Sequence, residues 1–197
     1  GDIAIGDIDE DGDLDLAVVQ GTGRVGTLRN WGDGSFAPSA NIEVGNFPTS
    51  VALGDLDGDG DLDMVVTKGN SDDTSVILRT SNGWIQTSFA AGDGPSSVTL
   101  GDLDGDGDLD MVLQMQFPNS TRLFYREGDS YVMSAQVFGI GNEQPLFYDL
   151  DGDLVEEMLI VSDNRVEVWD NGLSGLPLNF DGTNGDDVFT GSVGADR

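Results

Sequence analysis

An acidic string returns four times along this chain at almost constant spacing, and no other feature restricts the possible folds so strongly. "DIDEDGDLDLAVV" begins at Asp7, "DLDGDGDLDMVV" at Asp55, "DLDGDGDLDMVL" at Asp102 and "DLDGDLVEEMLIV" at Asp149, at offsets of 48, 47 and 47 residues. The flanks repeat too, since "PTSVALGDLD" from Pro48 matches "PSSVTLGDLD" from Pro95. A period this regular describes one supersecondary unit used four times.

Each unit reads as strands. A short apolar run leads in at Ile3 to Ile5, Val51 to Leu53, Val98 to Leu100 and Leu146 to Tyr148. The acidic loop follows, and then a second apolar run such as Leu62 to Val66 or Leu109 to Leu113. Turn chemistry splits a third strand from a fourth: "WGDGSF" at Trp31 to Phe36, "SNGW" at Ser81 to Trp84 and "REGDSY" at Arg126 to Tyr131. Glycine or proline interrupts almost every interval, so helices are not expected. Four short strands in about 47 residues is the spacing of a propeller blade. The expected fold is therefore all-β, a β-propeller of four-stranded blades, and a solenoid or an extended sandwich array fits the period less well.

In register, the loop is Asp-x-Asp-x-Asp-Gly-x-x-Asp. The first unit supplies Asp7, Asp9, Asp11, Gly12 and Asp15, the second Asp55, Asp57, Asp59, Gly60 and Asp63, the third Asp102, Asp104, Asp106, Gly107 and Asp110. Alternating carboxylates on a tightly turning chain converge on one point, and glycine at position six permits the turn. Several hard oxygen ligands suit Ca²⁺ better than Mg²⁺, which takes fewer protein ligands in stricter octahedral geometry. Position seven (Asp13, Asp61, Asp108) is expected to offer its backbone carbonyl. The fourth loop keeps Asp149, Asp151 and Asp153, but Leu154 replaces the glycine, Val155 holds position seven and Glu157 position nine. Its site is expected to be weaker. Solvated turn decoration would explain a lone Asp-Gly turn better, but not three near-complete copies in one register. An EF-hand shares the first six positions, yet it needs a glutamate at position twelve and flanking helices. Val18, Val66, Leu113 and Ile160 stand there, inside expected strands.

The chain carries 37 acidic and 8 basic residues for a net charge of -29, which opposes nucleic acid and anionic membrane surfaces as partners. Such acidity often accompanies disorder. Here 38% of residues are hydrophobic and fall in short regular runs, which argues for a folded chain. There is no cysteine and no histidine, so disulfides, thiolate sites and a Ser-His relay are excluded, and Lys68 is the only lysine. No apolar run approaches the roughly 18 residues of a membrane helix.

Loops of the form "GDLDGDGDLDMVV" resemble the FG-GAP/VCBS repeats of integrin-type β-propellers, over residues 1 to about 175. That resemblance implies an extracellular or cell-surface propeller with one structural Ca²⁺ per blade, held between the first two strands. It maps onto Asp7, Asp9, Asp11, Asp13 and Asp15, then Asp55, Asp57, Asp59, Asp61 and Asp63, then Asp102, Asp104, Asp106, Asp108 and Asp110. Many members have seven blades, and a chain opening on Gly1 at the first strand of a unit suggests blades upstream. From Gly182, "GTNGDDVFT" and "GSVGADR" resemble the opening of a repeat-in-toxin nonapeptide array, with Gly182 and Gly191, Gly185 and Gly194, and Asp187 and Asp196 each nine apart. The expected organisation is a propeller over residues 1–178 and a linker with a partial calcium-binding array over 179–197.

These features lead to one expected function. The chain reads as a non-catalytic, calcium-binding module of a secreted or cell-surface protein, acting in adhesion or as a scaffold for a protein or glycan ligand. The alternative is a lectin-like propeller, or an accessory domain of a larger polysaccharide-acting enzyme, with Trp31, Trp84, Trp169 and Tyr131 as stacking platforms. The same aromatics equally suit the covering of sheet edges.

Overall fold

The apolar runs and the turns between them resolve into sixteen strands in a computed structural model that describes residues 1–117, 119–138, 146–148, 157–162, 165–169 and 178–181. The first blade holds β1 (Ile3–Gly6), β2 (Asp15–Gln20), β3 (Arg24–Asn30) and β4 (Phe36–Glu43). The second holds β5 (Pro48–Gly54), β6 (Asp63–Lys68), β7 (Asp73–Thr80) and β8 (Gly83–Ala90). The third holds β9 (Pro95–Gly101), β10 (Asp110–Gln116), β11 (Asn119–Glu127) and β12 (Ser130–Phe138). The fourth holds β13 (Leu146–Tyr148), β14 (Glu157–Ser162), β15 (Arg165–Trp169) and β16 (Leu178–Asp181). Each is a four-stranded antiparallel meander in chain order. The fold is all-β and built of propeller blades, with no helix among the described residues.

The acidic loop joins the first two strands of each blade, and register fixes its ends. Gly6 faces Asp15, Gly54 faces Asp63 and Gly101 faces Asp110. The aspartate at position nine is thus the first residue of the second strand in all three loops. Val18, Val66 and Leu113 lie within strands, as does Ile160 of β14, so the place of an EF-hand's closing glutamate is taken by sheet.

Packing runs from blade to blade. Ile8, Ala17, Val19 and Val25 of the first blade close on Val51, Met64, Val66 and Ile77 of the second. Val65, Val76 and Ala91 of the second close on Val98, Met111, Leu113 and Phe124 of the third. Met64, Val66 and Ile77 are fully buried, each contributing about 1.5–3 kcal/mol of hydrophobic stabilisation. The innermost strands β1, β5 and β9 lie side by side and are stitched by side chains. Asp2 accepts hydrogen bonds from Ser50 Oγ at 2.6 Å and the Val51 N–H at 3.1 Å, and Thr49 Oγ1 donates to the Pro95 carbonyl at 3.0 Å. The glycines ending β1 and β5 permit close approach. A Cβ on Gly6 would lie 2.7 Å from Leu62 Cδ1 of the next blade, and one on Gly54 would lie 2.6 Å from Leu109 Cδ1. On the opposite face of the first blade, Ile3 and Ile5 stand in the register of Val51 and Leu53 but remain 56% and 62% exposed.

Two boundaries differ from the expectation. The inner strands of the second and third blades begin at Pro48 and Pro95, earlier than their apolar cores, because the prolines and serines ahead of them still pair. β16 pairs with β15 through Asp181. The nonapeptide-like segment from Gly182 lies outside the described residues.

Candidate metal centres

In each of the first three loops the chain curls around its first aspartate. Asp55 accepts the Gly58 N–H at 2.8 Å on Oδ1 and the Gly60 N–H at 3.0 Å on Oδ2, and Asp102 does the same with Gly105 and Gly107 at 2.8 and 3.0 Å. Asp7 accepts from the N–H groups of Asp11 and Gly12 at 3.1 and 2.9 Å. The glycine at position six takes φ of +92°, +94° and +90° at Gly12, Gly60 and Gly107, in the left-handed region where glycine is unstrained. Turn chemistry and carboxylate placement are therefore one device, because the first carboxylate closes the turn that brings its neighbours to it.

Among the described residues three groups of carboxylates converge: Asp7, Asp9 and Asp15; Asp55, Asp57 and Asp63; Asp102, Asp104 and Asp110. In each, one oxygen per residue lies within 4.8 Å of the others. These are loop positions one, three and nine, a cluster of hard oxygen donors of a size that a cation can bridge. Asp9 Oδ1 in the first group is buried and has no hydrogen-bond partner. That oxygen is free to meet a cation, while Oδ2 of the same carboxylate lies 3.0 Å from Arg29 Nε.

The remaining expected ligands divide differently. At position five, Oδ1 of Asp11, Asp59 and Asp106 accepts the N–H two residues on, at 3.0, 2.9 and 2.9 Å, so these side chains brace the turn beside each triad. At position seven, Asp61 and Asp108 turn their carboxylates to arginines of the third strand, at 3.4 Å from Arg79 and 2.8 Å from Arg126. Those two side chains are engaged with arginine, and the expected carbonyl role at position seven stays open. Asp149, Asp151, Asp153 and Val155 lie outside the described residues. Glu157 opens β14 opposite Tyr148, the register that position nine holds in the other blades.

Position nine does more than complete a triad. Asp63 is fully buried; its Oδ2 accepts the Leu56 N–H at 2.9 Å and its Oδ1 the Arg79 N–H at 2.6 Å. Asp110 makes the same bonds to Leu103 and Arg126 at 2.9 and 2.8 Å, and Asp15 to Ile8 and Asn30 at 3.1 and 2.7 Å. One carboxylate thus ties the loop to the far end of the third strand. Burial pushes Asp63 and Asp110 up to about 6, against the lowering effect of those N–H bonds. Sequence reasoning missed this clamp, and it also missed the anchor at position two. There Ile8, Leu56 and Leu103 are buried, and the steady apolar residue between two aspartates was the available signal.

The aromatic candidates are mostly engaged. Trp84 packs against the core between the first and second blades. Tyr131 stacks on Phe89 at 6.0 Å and donates its hydroxyl to the Leu109 carbonyl at 3.3 Å. Trp31 is 56% exposed, with the Arg29 guanidinium 4.6 Å over its ring. The Trp169 side chain lies outside the described residues.

A family model for FG-GAP-like repeats matches residues 7–66 and again residues 55–113. The two matches overlap and together span more than half of the 197 residues, covering the three acidic loops whose geometry is described above. A search of curated proteins returned no match.

Proposed function

From the premise that this chain belongs to the FG-GAP-like repeat family, we propose that it is a non-catalytic Ca²⁺-binding propeller module of a secreted or cell-surface protein, in which the ions stiffen the blades. Family membership supports the setting, because such repeats are typical of extracellular or surface proteins. One observation carries the calcium reading: three loops independently gather the carboxylates of positions one, three and nine to within 4.8 Å. Two or three carboxylates at that distance repel one another, by roughly 1 kcal/mol per pair at about 4 Å even in water. A divalent ion reverses the repulsion and links the first strand to the second. Three filled sites would add six units of charge, taking the formal charge from -29 to about -23.

The non-catalytic reading is supported by the structural work of the carboxylates, since those of positions one, five and nine accept backbone N–H bonds. The module would act in adhesion or as a scaffold, its partner a protein or a glycan. Trp31, which is exposed, favours the second reading, a lectin-like or polysaccharide-enzyme accessory role, although Arg29 covers one face of its ring. Glycan-array binding lost in Trp31→Ala supports that reading, and binding to none of the glycans removes it.

Calorimetry and thermal melting test the main reading. Binding to the folded state alone stabilises by RT ln(1 + [L]/Kd), about 2.7 kcal/mol per site at a hundredfold excess. Several such sites rival the roughly 5–15 kcal/mol of an ordinary domain. The expected result is saturable Ca²⁺ binding and a melting temperature that falls on chelation. Superimposable melts with and without Ca²⁺ would reduce the loops to surface decoration.

A further inference from the structure

The three loops differ in where they place their arginine. Asn30, Arg79 and Arg126 occupy one structural position, since each donates its backbone N–H to the buried aspartate of its blade. In the second and third blades the arginine at that position reaches the position-seven carboxylate, Asp61 or Asp108, outside the triad. In the first blade the position is held by Asn30, and the arginine stands one residue earlier. Arg29 Nε lies 3.0 Å from Asp9 Oδ2, and its terminal nitrogen lies 2.7 Å from Asp11 Oδ2. Asp9 belongs to the triad, and Asp11 stands beside it. The guanidinium also lies 4.6 Å over the Trp31 ring. Asp11 is satisfied on both oxygens, because its Oδ1 already accepts the Asp13 N–H.

From this one-residue offset we infer that Arg29 is a built-in counter-cation of the first loop, which competes with Ca²⁺ and makes the first site the weakest of the three described. The inference rests on the calcium reading above and goes beyond it, because the loop's own residues alone rank the first site equal to the others. A fixed positive charge a few ångströms from a divalent ion lowers its affinity by about tenfold even at the dielectric of water. The same charge compensates the triad when calcium is scarce, so the first blade is the one whose loop depends least on the ion. In the second and third blades the arginines neutralise carboxylates that do not belong to the triads, and leave those triads to the ion.

The loop glycines provide a site-resolved readout, because Gly12, Gly60 and Gly107 each donate an N–H to the first aspartate of their own loop, at 2.9, 3.0 and 3.0 Å. Calcium titration of the 197-residue chain, followed through these three amide resonances, is expected to move Gly60 and Gly107 at about tenfold lower calcium than Gly12. In Arg29→Gln the Gly12 midpoint is expected to shift down towards the other two, which stay in place. Arg29→Lys, which keeps the charge, is expected to leave the Gly12 midpoint high. Three coincident midpoints in the wild type, or a Gly12 midpoint unmoved by Arg29→Gln, would overturn the inference while leaving the calcium reading intact. Amides that ignore calcium in all three loops would overturn both.

Discussion

Glu10 reaches from the first acidic loop to Arg79 of the second blade, with Oε1 2.7 Å from the guanidinium, and adopts φ of +63° to do so. The second and third loops have glycine at the same position, Gly58 and Gly105, at φ of +79° and +76°. The first loop therefore gives up an unstrained residue for a contact between blades. The contact is a shared one, because Asp61 lies 3.4 Å from the same Arg79 nitrogen. Hydrogen bonding with Asp61 and Arg79 holds the Glu10 carboxyl below the usual range, while Glu10 raises Asp61.

Two substitutions at Glu10 separate backbone strain from the ion pair. Both Glu10→Ala and Glu10→Gly remove the contact with Arg79, but only glycine relaxes the left-handed backbone. Glu10→Gly is expected to melt about 2–4 °C above Glu10→Ala. Equal melting temperatures would show that the loop bears no strain at this residue.

Asp57 and Asp63 belong to one triad yet predict opposite calcium dependence. Asp63 is buried and holds the N–H groups of Leu56 and Arg79, so Asp63→Ala strands two donors at about 1–3 kcal/mol each. Its destabilisation is expected to appear in calcium-free protein. The Asp57 carboxylate is exposed on the loop surface and accepts one local bond, from the Asp59 N–H at 3.2 Å, so Asp57→Ala is expected to matter only when calcium is present. Urea titrations of both variants, with and without calcium, check the contrast. A calcium-free Asp63→Ala protein as stable as the wild type would refute the clamp.

Much of this architecture was legible because its signals are local. The period, the strand runs and the turn residues all act within a few positions, and the loop glycines take the backbone conformation that their place in the motif requires. What escaped was long-range or electrostatic. Asp2 bonding Ser50, Glu10 bonding Arg79 and Leu62 seated on Gly6 each join residues of successive blades, about fifty to seventy positions apart, and a repeat pattern does not reveal which blade face meets which. The aspartates of the loop look alike in sequence, yet the fold makes one a turn anchor, one a buried clamp and one the partner of an arginine. Burial and hydrogen-bond partners separate them, and both arise only once the third strand is in place.

The buried clamps also set an unusual pH dependence. An unfolded aspartate ionises near pH 3.9, whereas burial pushes Asp63 and Asp110 up to about 6. Between those values the folded chain holds protons that the unfolded chain has released. Their stabilising contribution is therefore complete below about pH 4 and is lost as pH rises through 6. Asp11 and Asp33, held low by hydrogen bonds to Asp13 and Ser35, act in the opposite sense but only below the ordinary aspartate range. Calcium-free protein is thus expected to become more stable between pH 7 and pH 5. With saturating calcium the trend should reverse, because protonating a ligand releases the ion. Relief of repulsion among the 37 acidic residues works in the same direction as the clamps in calcium-free protein, so a variant is needed to separate them. Asp63→Asn with Asp110→Asn removes the two groups pushed up to about 6, and is expected to reduce the calcium-free rise between pH 7 and pH 5. Urea midpoints at the two pH values, for both proteins and both calcium conditions, provide the test. A calcium-free wild type that loses stability on acidification over that interval would show that the clamps stay ionised in the folded protein.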